Sequence, residues 1–446
     1  MIPVRWMLPI ACLLSACSDD VGTDSGGAGA AGTTSGGASS TGGGPSTSTT
    51  SAGGSGGGTT ASTSTTGGGG QGGTGGASNL MPPPCPPGTT ELAADLQCTN
   101  AGTSISTDFE DAVGSSIRGE IVAGLEGLGS ATCLPTRTCV PESAPTLIFS
   151  DEPEYVATDG VLYADELETG RYRVYVYHVN DGASPRRFTV VALNQMAVPA
   201  TITVEKLATT APSTDYLGVG RAVAESYLTA TGKPAIMVPG MTRVVVDTDV
   251  DALVADPDEL IHTMFQLQVI GDVKLSIVSV PANADAAAVT AGLSLLPNTN
   301  THVRGTFPMA DRLILTRHPG GLTRLRLGGD ESIDPHIMGT NYVDGGAATL
   351  AGNFGVLYDL RVIGPAESLF LGVNPRAGTW AGGALGSAGL DASGGSYLLP
   401  SSDPTVSSNQ DVVAMGRYTS GIDIGATLLT AGGSNLPVHV VMAPLP

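Results

Sequence analysis

Apolar and polar residues alternate in short stretches along the C-terminal two thirds of the chain. Residues 171–176 read RYRVYV, and residues 265–269 read FQLQV. A repeat of two is that of a β-strand, in which successive side chains point to opposite faces. Because one face is apolar and the other polar, the pattern predicts half-buried antiparallel strands.

Two glycine-containing loops separate pairs of such stretches. The loops are 271–272 (Gly-Asp) between 265–270 and 273–280, and 319–321 (Pro-Gly-Gly) between 313–316 and 325–327. A two-residue Gly-Asp connection is favoured by the primed turns that join adjacent antiparallel strands. Both loops therefore predict β-hairpins.

Short runs of the same kind, with Gly, Asn, Asp or Pro at their ends, continue to the C-terminus. They comprise residues 355–362, 369–373, 412–415 and 437–442. Many short strands bounded in this way are typical of β-sandwiches. Helical spacing of apolar residues predicts a helix over 217–229 and another over 116–125, where Gly119 and Gly124 interrupt the pattern.

These patterns predict a mainly β protein with two successive antiparallel β-sandwich domains, residues 142–283 and 297–446. The Ala- and Asn-rich stretch between them marks the boundary. A small cysteine-containing segment, residues 82–141, opens with three prolines and precedes the first sandwich.

Upstream of this body, residues 17–81 have a different composition. They consist almost wholly of Gly, Ser, Thr and Ala and contain no aliphatic run that could form a core. Such a composition predicts a disordered tether. As a flexible coil of about 65 residues, it would have a typical end-to-end distance of roughly 45 Å.

The first sixteen residues have the order of an export signal. Arg5 is followed by an apolar run, residues 6–14, that is too short to span a bilayer, and small residues precede Cys17. Residues 14–17, LSAC, resemble the lipobox of bacterial lipoproteins. The resemblance implies that residues 1–16 are a signal peptide, that Cys17 receives a thioether-linked diacylglycerol, and that its new amino group takes a further acyl chain such as palmitate. An ordinary cleaved signal, with Cys17 incidental, is the alternative.

Such a modification would make the membrane a partner of the protein through lipid. Each buried methylene contributes about 0.8 kcal/mol, so several acyl chains form a stable anchor. Ser18 after the cysteine resembles the outer-membrane sorting pattern of this family. We therefore expect an exported lipoprotein at the outer membrane or cell surface of a Gram-negative bacterium.

Four cysteines remain once Cys12 has left with the leader and Cys17 carries lipid. They are Cys85, Cys98, Cys133 and Cys139. An even number in an exported chain predicts two disulfides, with three possible pairings. A zinc site is the other interpretation, but the spacings lack paired C-x-x-C ligands and no histidine lies nearby.

Charge narrows the range of partners. The chain has a net charge of -21 at neutral pH. Long-range repulsion from a polyanion of the same sign disfavours nucleic acid as a partner.

Alternating carboxylates form the sharpest polar cluster. Asp247, Asp249, Asp251 and Asp258 could converge on calcium, the one candidate cofactor, because this cation prefers six to eight oxygen ligands. The match with a calcium-binding loop is incomplete, since Ala252 stands where that loop requires Gly. A solvated acidic strand end is the alternative.

A second polar cluster follows a predicted strand and contains Asp330, Glu331, Asp334 and His336. It could support acid–base chemistry on a glycoside or a phosphate, although its spacing fits no known motif, and a polar loop is the alternative. His178 and His262 fall on predicted strands, where a hydrogen-bonded sheet residue is commoner than a metal ligand. Trp380 is either a binding residue or a wedge between sheets.

Three stretches look like β modules in secreted bacterial surface proteins whose activity is unassigned. They are residues 171–180, 187–190 and 198–204. The resemblance supports the fold and assigns no catalytic residue. The leading hypothesis is a membrane-anchored, extracytoplasmic binding or structural lipoprotein of adhesion-like character, with an unknown surface ligand or polymer as partner. The alternative is a tethered extracellular hydrolase that acts on polymer through carboxylates in sandwich loops.

Overall fold

Strands dominate the structure, which confirms the mainly β prediction. The computed structural model describes residues 81–95, 107–125, 127–128, 131–329, 333–402 and 405–446. The predictions about the signal peptide, Cys17, the tether, Cys98, Asp330 and Glu331 lie outside these ranges.

The strands are β1 Thr89–Asp95, β2 Ile121–Val122, β3 Thr132–Cys133, β4 Thr136–Pro141, β5 Thr146–Ser150, β6 Tyr155–Val156, β7 Gly160–Leu167, β8 Gly170–Asn180, β9 Arg186–Leu193, β10 Ala200–Thr209, β11 Ile236–Val238, β12 Arg243–Val245, β13 Leu260–Ile270, β14 Val273–Pro281, β15 Arg304–Phe307, β16 Asp311–Thr316, β17 Thr323–Leu327, β18 Ile337–Asn341, β19 Gly346–Leu350, β20 Leu357–Val362, β21 Leu369–Pro375, β22 Gly382–Gly386, β23 Gly395–Leu399, β24 Val412–Tyr418, β25 Ile424–Thr430 and β26 Val438–Pro444. The helices are α1 Thr107–Gly114, α2 Tyr216–Thr229, α3 Thr248–Asp251 and α4 Ala286–Val289, with single 3-10 turns at Thr290–Gly292 and Ala351–Asn353.

Two sheets form the first sandwich. Sheet 1 has the strand order β12-β9-β14-β7, and sheet 2 has the order β11-β10-β13-β8-β5-β15-β18-β19, with β6 added beside β8. Their facing side chains share one core, in which Phe188 and Ile277 of sheet 1 belong to the same cluster as Val174 and Phe265 of sheet 2. The alternate apolar residues of these strands therefore lie on the inner faces of the two sheets and form the core between them.

Two further sheets form the second sandwich. Sheet 3 has the order β1-β4-β16-β20-β25-β22-β23, and sheet 4 has the order β2-β24-β21-β26-β17-β3. Leu360 and Leu428 of sheet 3 share a core with Leu371 and Val440 of sheet 4. The opposite face of sheet 4 is covered by α1, where Phe109 packs in a cluster with Phe370 and its neighbours.

Sheet 2 is covered on both faces. Along β8, Val174 and Val176 pack into the first core, whereas Tyr175 and Tyr177 pack into the second. Arg173, on the expected polar face, is buried at 1% exposure. The prediction of half-buried strands over 171–176 is therefore wrong, because the second sandwich and α2 cover the face that the alternation assigns to solvent.

The predicted boundaries do not separate the sheets. β15, from the predicted second domain, pairs with β5 of the first inside sheet 2. β4, from the predicted cysteine-containing segment, pairs with β16 inside sheet 3. All described residues belong to one compact unit that spans residues 72–446.

Both predicted hairpins are wrong in the same way. β13 belongs to sheet 2 and β14 to sheet 1, so residues 271–272 carry the chain from one sheet to the other. β16 and β17 likewise belong to sheets 3 and 4. A tight turn reverses the chain, but it does not determine which sheet the following strand joins.

Most strand pairs are antiparallel, as predicted, and four of the described pairs are parallel. These are β5 with β8, β6 with β8, β16 with β20, and β17 with β3. The predicted strands near 355–362, 369–373, 412–415 and 437–442 are confirmed as β20, β21, β24 and β26.

The helix over 217–229 is confirmed as α2. Its first turn is capped by Asp215, whose carboxylate accepts the Gly218 N–H at 3.0 Å. The helix over 116–125 is wrong: α1 ends at Gly114 and β2 occupies Ile121–Val122. Gly119 and Gly124 have φ angles of 79° and 69°, a conformation that a continuous right-handed helix cannot contain.

One disulfide joins Cys85, just before β1, to Cys139 on β4, with 5.8 Å between the Cα atoms. The bond fastens β1 against the strand with which it pairs. Cys133 is disulfide-bonded as well. Within the described ranges, no helix has the length and apolar character required to traverse a bilayer.

Candidate functional site

Lys233 lies between two of the predicted calcium ligands. Its ammonium donates to Asp247 Oδ2 at 2.6 Å and to Asp249 Oδ2 at 2.7 Å. The remaining oxygen of Asp247 accepts the backbone N–H groups of Asp249 and Val250, both at 3.0 Å, and so caps α3. A cation of the chain itself thus neutralises the site that a calcium ion would need.

The other two predicted ligands have separate partners. Asp251 Oδ2 accepts from Arg187 Nη1 at 2.8 Å, and Asp258 contributes its backbone carbonyl to the Tyr216 hydroxyl at 2.9 Å. Across the part of the chain that the structure describes, no group of three or more His, Cys, Asp or Glu side chains is arranged to hold a metal. The structure does not bring Asp247, Asp249, Asp251 and Asp258 together as a calcium site.

Asp334 is a structural carboxylate. It is 1% exposed and accepts from Gly328 N at 2.6 Å, Tyr358 Oη at 2.9 Å and Asn353 Nδ2 at 3.0 Å. Burial raises the pKa of this carboxyl above its usual range. Burial and three hydrogen-bond donors are the environment of a carboxylate that holds the fold together.

The strand histidines are hydrogen-bonded members of sheet 2, as expected. His178 lies 2.9 Å from Ser150 Oγ and 2.8 Å from the Pro153 carbonyl, and His262 lies 2.8 Å from the Val176 carbonyl. Burial lowers the pKa of His178 to about 3 and that of His262 to about 4, so both are neutral at physiological pH. Trp380 is fully buried in the second core, as a wedge between sheets would be.

An open groove of about 1040 Å³ lies along sheet 1. Leu275 and Ile277 of β14 pack inward, so the alternate residues Lys274 and Ser276 belong to the outer face. Both line the groove, together with Leu193 of the neighbouring β9. The outer face of sheet 1 is therefore the floor of this groove, which we call the sheet 1 groove.

Strand register aligns the floor residues in rows. Arg243 of β12 pairs with Leu193, Leu193 with Lys274, and Lys274 with Glu166 of β7. Partners in adjacent antiparallel strands present their side chains on the same face. One row of the floor thus reads, in order across the four strands, Arg, Leu, Lys and Glu.

The next row of the floor is smaller and less polar. Val191 pairs with Ser276, and Ser276 with Ala164. One wall is the segment after α4, which contributes Leu293 and Leu295. Short side chains on the floor beside an apolar wall leave room for an elongated ligand.

The groove continues past the edge strand β7 to residues of sheet 2. Asp165 Oδ2 accepts from the Thr306 hydroxyl at 2.6 Å, and Thr306 Oγ1 lies 2.9 Å from Tyr163 Oη. Burial raises the pKa of the Asp165 carboxyl above its usual range. Tyr342, which is 58% exposed, and Tyr172 line the same end of the groove.

The side chains of Arg243 and Lys274 form no hydrogen bond or ion pair within the described ranges. Some other cations of the body have carboxylate partners: Arg173 pairs with Asp311 at 2.6 Å and Arg304 with Asp344 at 2.9 Å. The two groove cations are half-buried and free to hold an anionic group of a ligand.

These groove residues are not predicted by motif-based reasoning, because none of them belongs to a motif. The available signal is the alternation of β14, in which Lys274 and Ser276 alternate with Leu275 and Ile277. That pattern indicates a polar face, but it does not show that the face is a groove rather than open surface.

No protein-family model matches the chain, and no curated protein matches it. Among solved structures, the chain is similar to the crystal structure of vicilin from Corylus avellana (hazelnut), with 9% sequence identity over 66% of this chain and 86% of that chain. The TM-score of 0.10 is too low for this similarity to carry an argument about fold or function.

Proposed function

We propose that this protein is a membrane-anchored, extracytoplasmic binding lipoprotein that holds an elongated ligand in the sheet 1 groove. The observation that carries the proposal is the groove itself, about 1040 Å³ in volume, with a polar and charged floor. Ligand sites are concave and place a small number of polar groups among apolar ones. The row from Arg243 to Glu166 and the apolar wall at Leu293 have this composition.

Two observations support export and anchoring. Residues 14–17 resemble a lipobox, and the Cys85–Cys139 disulfide is typical of proteins from oxidising compartments. Lipid on Cys17 would hold the body at the outer membrane or cell surface, and residues 17–81 would act as the spacer. The groove would then face material outside the cytoplasm.

Binding is favoured over hydrolysis. The alternative function, a tethered polymer hydrolase, depends on Asp330 and Asp334. Asp334 is buried and accepts three hydrogen bonds, so it cannot reach a substrate. The other carboxylate of that hypothesis, Asp330, lies outside the described residues.

The test is retention of the full-length protein on immobilised polymers, with dextran, polygalacturonate, dextran sulfate and polyglutamate as the panel. Ala164→Trp fills the groove from the edge strand β7 and should abolish retention. Ala347→Trp places the same bulk on the edge strand β19, where the side chain is exposed, and should leave retention unchanged. Far-ultraviolet circular dichroism verifies that both variants are folded.

Failure of every polymer to retain the wild-type protein, or equal loss in both variants, would contradict groove binding. Release of new reducing ends from a polymer by the wild type would instead favour the hydrolase.

A further inference from the structure

We propose that the ligand of the sheet 1 groove is an acidic polysaccharide, whose carboxylate or sulfate groups are held by Arg243 and Lys274. This inference rests on the proposed binding function and names the chemical class of its ligand. It depends on three features of the groove: unpaired cations, their spacing, and the acceptors and aromatic rings beside them.

The side chains of Arg243 and Lys274 are unpaired although the chain is acidic. Asp and Glu number 41 and Lys and Arg only 20, so carboxylates are available to pair with every cation. Arg173, Arg187, Lys233 and Arg304 are paired in this way. Arg243 and Lys274 have no such partner in the described ranges, although both line the groove. A half-buried cation without a protein partner is suited to an external anion.

The spacing of the two cations suits a chain with repeated acidic groups. β12 and β14 lie on either side of β9, so the backbones that carry Arg243 and Lys274 are roughly 10 Å apart. Leu193 occupies the floor between them. Such a chain can present one acidic group to each cation.

The other half of the groove offers what sugar hydroxyl groups need. Asp165, Glu166 and Glu168 supply carboxylate acceptors, and the rings of Tyr172 and Tyr342 supply apolar faces. Hydroxyl groups are hydrogen-bond donors as well as acceptors, so they can bond to carboxylates without introducing charge. A neutral part of a sugar chain can therefore lie along the acidic end while its acidic groups reach the cations.

An acidic peptide fits this arrangement less well. Its ionised side chains are acceptors only and carry no hydroxyl groups for Asp165, Glu166 and Glu168. It would also offer few donors to those acceptors beyond its backbone N–H groups. The combination of two cations, three carboxylates and two tyrosines favours a ligand that is both anionic and rich in hydroxyl groups.

The overall charge of -21 does not prevent this contact. At an ionic strength of about 0.15 M, charges more than about 8 Å apart are largely screened, so cations that touch the ligand outweigh distant carboxylates. Screening also weakens the attraction between the groove cations and the ligand, so we expect the affinity for the polysaccharide to be modest.

The experiment measures binding of the full-length protein to polygalacturonate, dextran sulfate, neutral dextran and polyglutamate by calorimetric titration. We compare the wild type with Arg243→Gln, Lys274→Gln and the control Arg361→Gln. The control removes the same charge from an exposed side chain of β20, whose ion pair among the described residues is with Asp359. Each groove substitution should weaken binding of an acidic polysaccharide by about tenfold or more, because a hydrogen bond to a charged group is lost. The control should retain wild-type affinity.

Stronger binding of polygalacturonate would assign the anionic group as a carboxylate, and stronger binding of dextran sulfate would assign it as a sulfate; either result supports the proposal. Equal binding of neutral dextran, unaffected by Arg243→Gln and Lys274→Gln, would overturn the acidic class while groove binding stands. Preference for polyglutamate would overturn the polysaccharide assignment in favour of an acidic peptide. Absence of binding to every polymer would contradict the proposed function itself.

Discussion

Arg173 is the polar residue that joins the two sandwiches most directly. From β8 of sheet 2, its guanidinium donates to Asp311 Oδ1 at 2.6 Å, to the Gly355 carbonyl at 2.9 Å and to the Tyr227 hydroxyl at 3.0 Å. Asp311 begins β16 of sheet 3, and Tyr227 belongs to α2. One buried side chain thus connects two sheets and the helix that lies against them.

Replacement of this arginine by an apolar residue should be strongly destabilising. Arg173→Met removes the cation that pairs with Asp311 and the donor to the Tyr227 hydroxyl, which keeps its bond to Gln266 Oε1 at 3.0 Å, so we expect a loss of about 3–5 kcal/mol in the free energy of unfolding. Arg361→Met removes an exposed pair with Asp359 and should cost about 1 kcal/mol or less. Urea unfolding followed by fluorescence measures both. Similar losses in the two variants would contradict a connecting role for Arg173.

His302 lies beside two carboxylates at the surface of the first sandwich. Its Nε2 lies 2.8 Å from Glu154 Oε2 and its Nδ1 lies 3.3 Å from Asp151 Oδ2. Hydrogen bonds to Asp151 and Glu154 raise the pKa of His302 from 6.5 to about 11. The buried carboxylate of Glu152 also faces this histidine and accepts its backbone N–H at 2.9 Å.

The raised pKa of His302 predicts how stability depends on pH. Between pH 6.5 and about 11 the folded protein retains a proton that the unfolded chain releases, so this contribution is full below pH 6.5 and is lost as the pH rises. His302→Gln should reduce the fall in unfolding free energy between about pH 8 and pH 10, where Asp151, whose pKa burial raises to about 7, is ionised beside it. His318→Gln is the control above about pH 8, because the pKa of His318 is lowered to about 4 and the imidazole is then neutral in both the folded protein and the unfolded chain. An identical pH slope in wild type and His302→Gln would refute the assignment.

At the scale of elements, the connection between β13 and β14 shows how the chain changes sheets. Gly271 has a φ of 91°, and its N–H donates to Thr169 Oγ1 at 2.9 Å. A Cβ atom at this position would lie 3.1 Å from the Cβ of Ala200. Backbone conformation, a hydrogen bond and close packing together hold the two-residue crossing between sheets 1 and 2.

Gly271→Ala should therefore destabilise the protein by at least about 1 kcal/mol, because the left-handed conformation disfavours any Cβ. Gly292→Ala is the matched control: an added Cβ there meets no atom within 4 Å. It should change the unfolding free energy by less than about 0.5 kcal/mol. Thermal melting of both variants provides the comparison, and a neutral Gly271→Ala would show that the crossing tolerates a side chain.

The cysteine-containing segment is held to sheet 3 by a covalent bond as well as by strand pairing. The Cys85–Cys139 disulfide closes a loop with a sequence separation of 54. If all four cysteines of the body pair, this bond leaves Cys98–Cys133 from the three possible pairings. We expect peptide mapping of the unreduced protein to find both bonds, and Cys85→Ser with Cys139→Ser to lower the unfolding free energy by about 2–5 kcal/mol. A Cys85–Cys98 or Cys85–Cys133 peptide would contradict this pairing.

Local patterns predict the elements far better than their partners. Alternation predicts β8, β13 and β14, and helical spacing predicts α2, because both report on which side chains share a face. The same alternation assigns Arg173 to solvent, since nothing local shows that a second sandwich covers that face. The turn at 271–272 predicts a reversal of the chain without showing that the two strands enter different sheets.

Local sequence patterns are equally insufficient to predict the candidate site. Acidic residues close together in sequence, such as Asp247 and Asp251, suggest a metal site, but their cations, Lys233 and Arg187, come from distant parts of the chain. The groove row from Arg243 to Glu166 is assembled from four strands and has no sequence motif. Only pairing between strands reveals it.

At the scale of the whole molecule, the proposed location depends on one modification. We expect cells grown with radiolabelled palmitate to label the wild-type protein and to leave Cys17→Ala unlabelled, because acylation requires the thiol at this position. Cys12→Ala is the control: it falls within the expected signal peptide and should leave the mature protein labelled. Equal labelling of wild type and Cys17→Ala would exclude the lipobox interpretation.

Sheet 2, packed on both of its faces, has a consequence for how this protein can have arisen and changed. A gene fragment that encoded either sandwich alone would yield a product with an exposed apolar face. Tyr175 and Tyr177, or the residues that pack against them, would lie on that face. Exchange of single modules between genes would therefore produce insoluble chains. Recombination could transfer the body intact, together with its groove, and vary freely only the segment upstream of it.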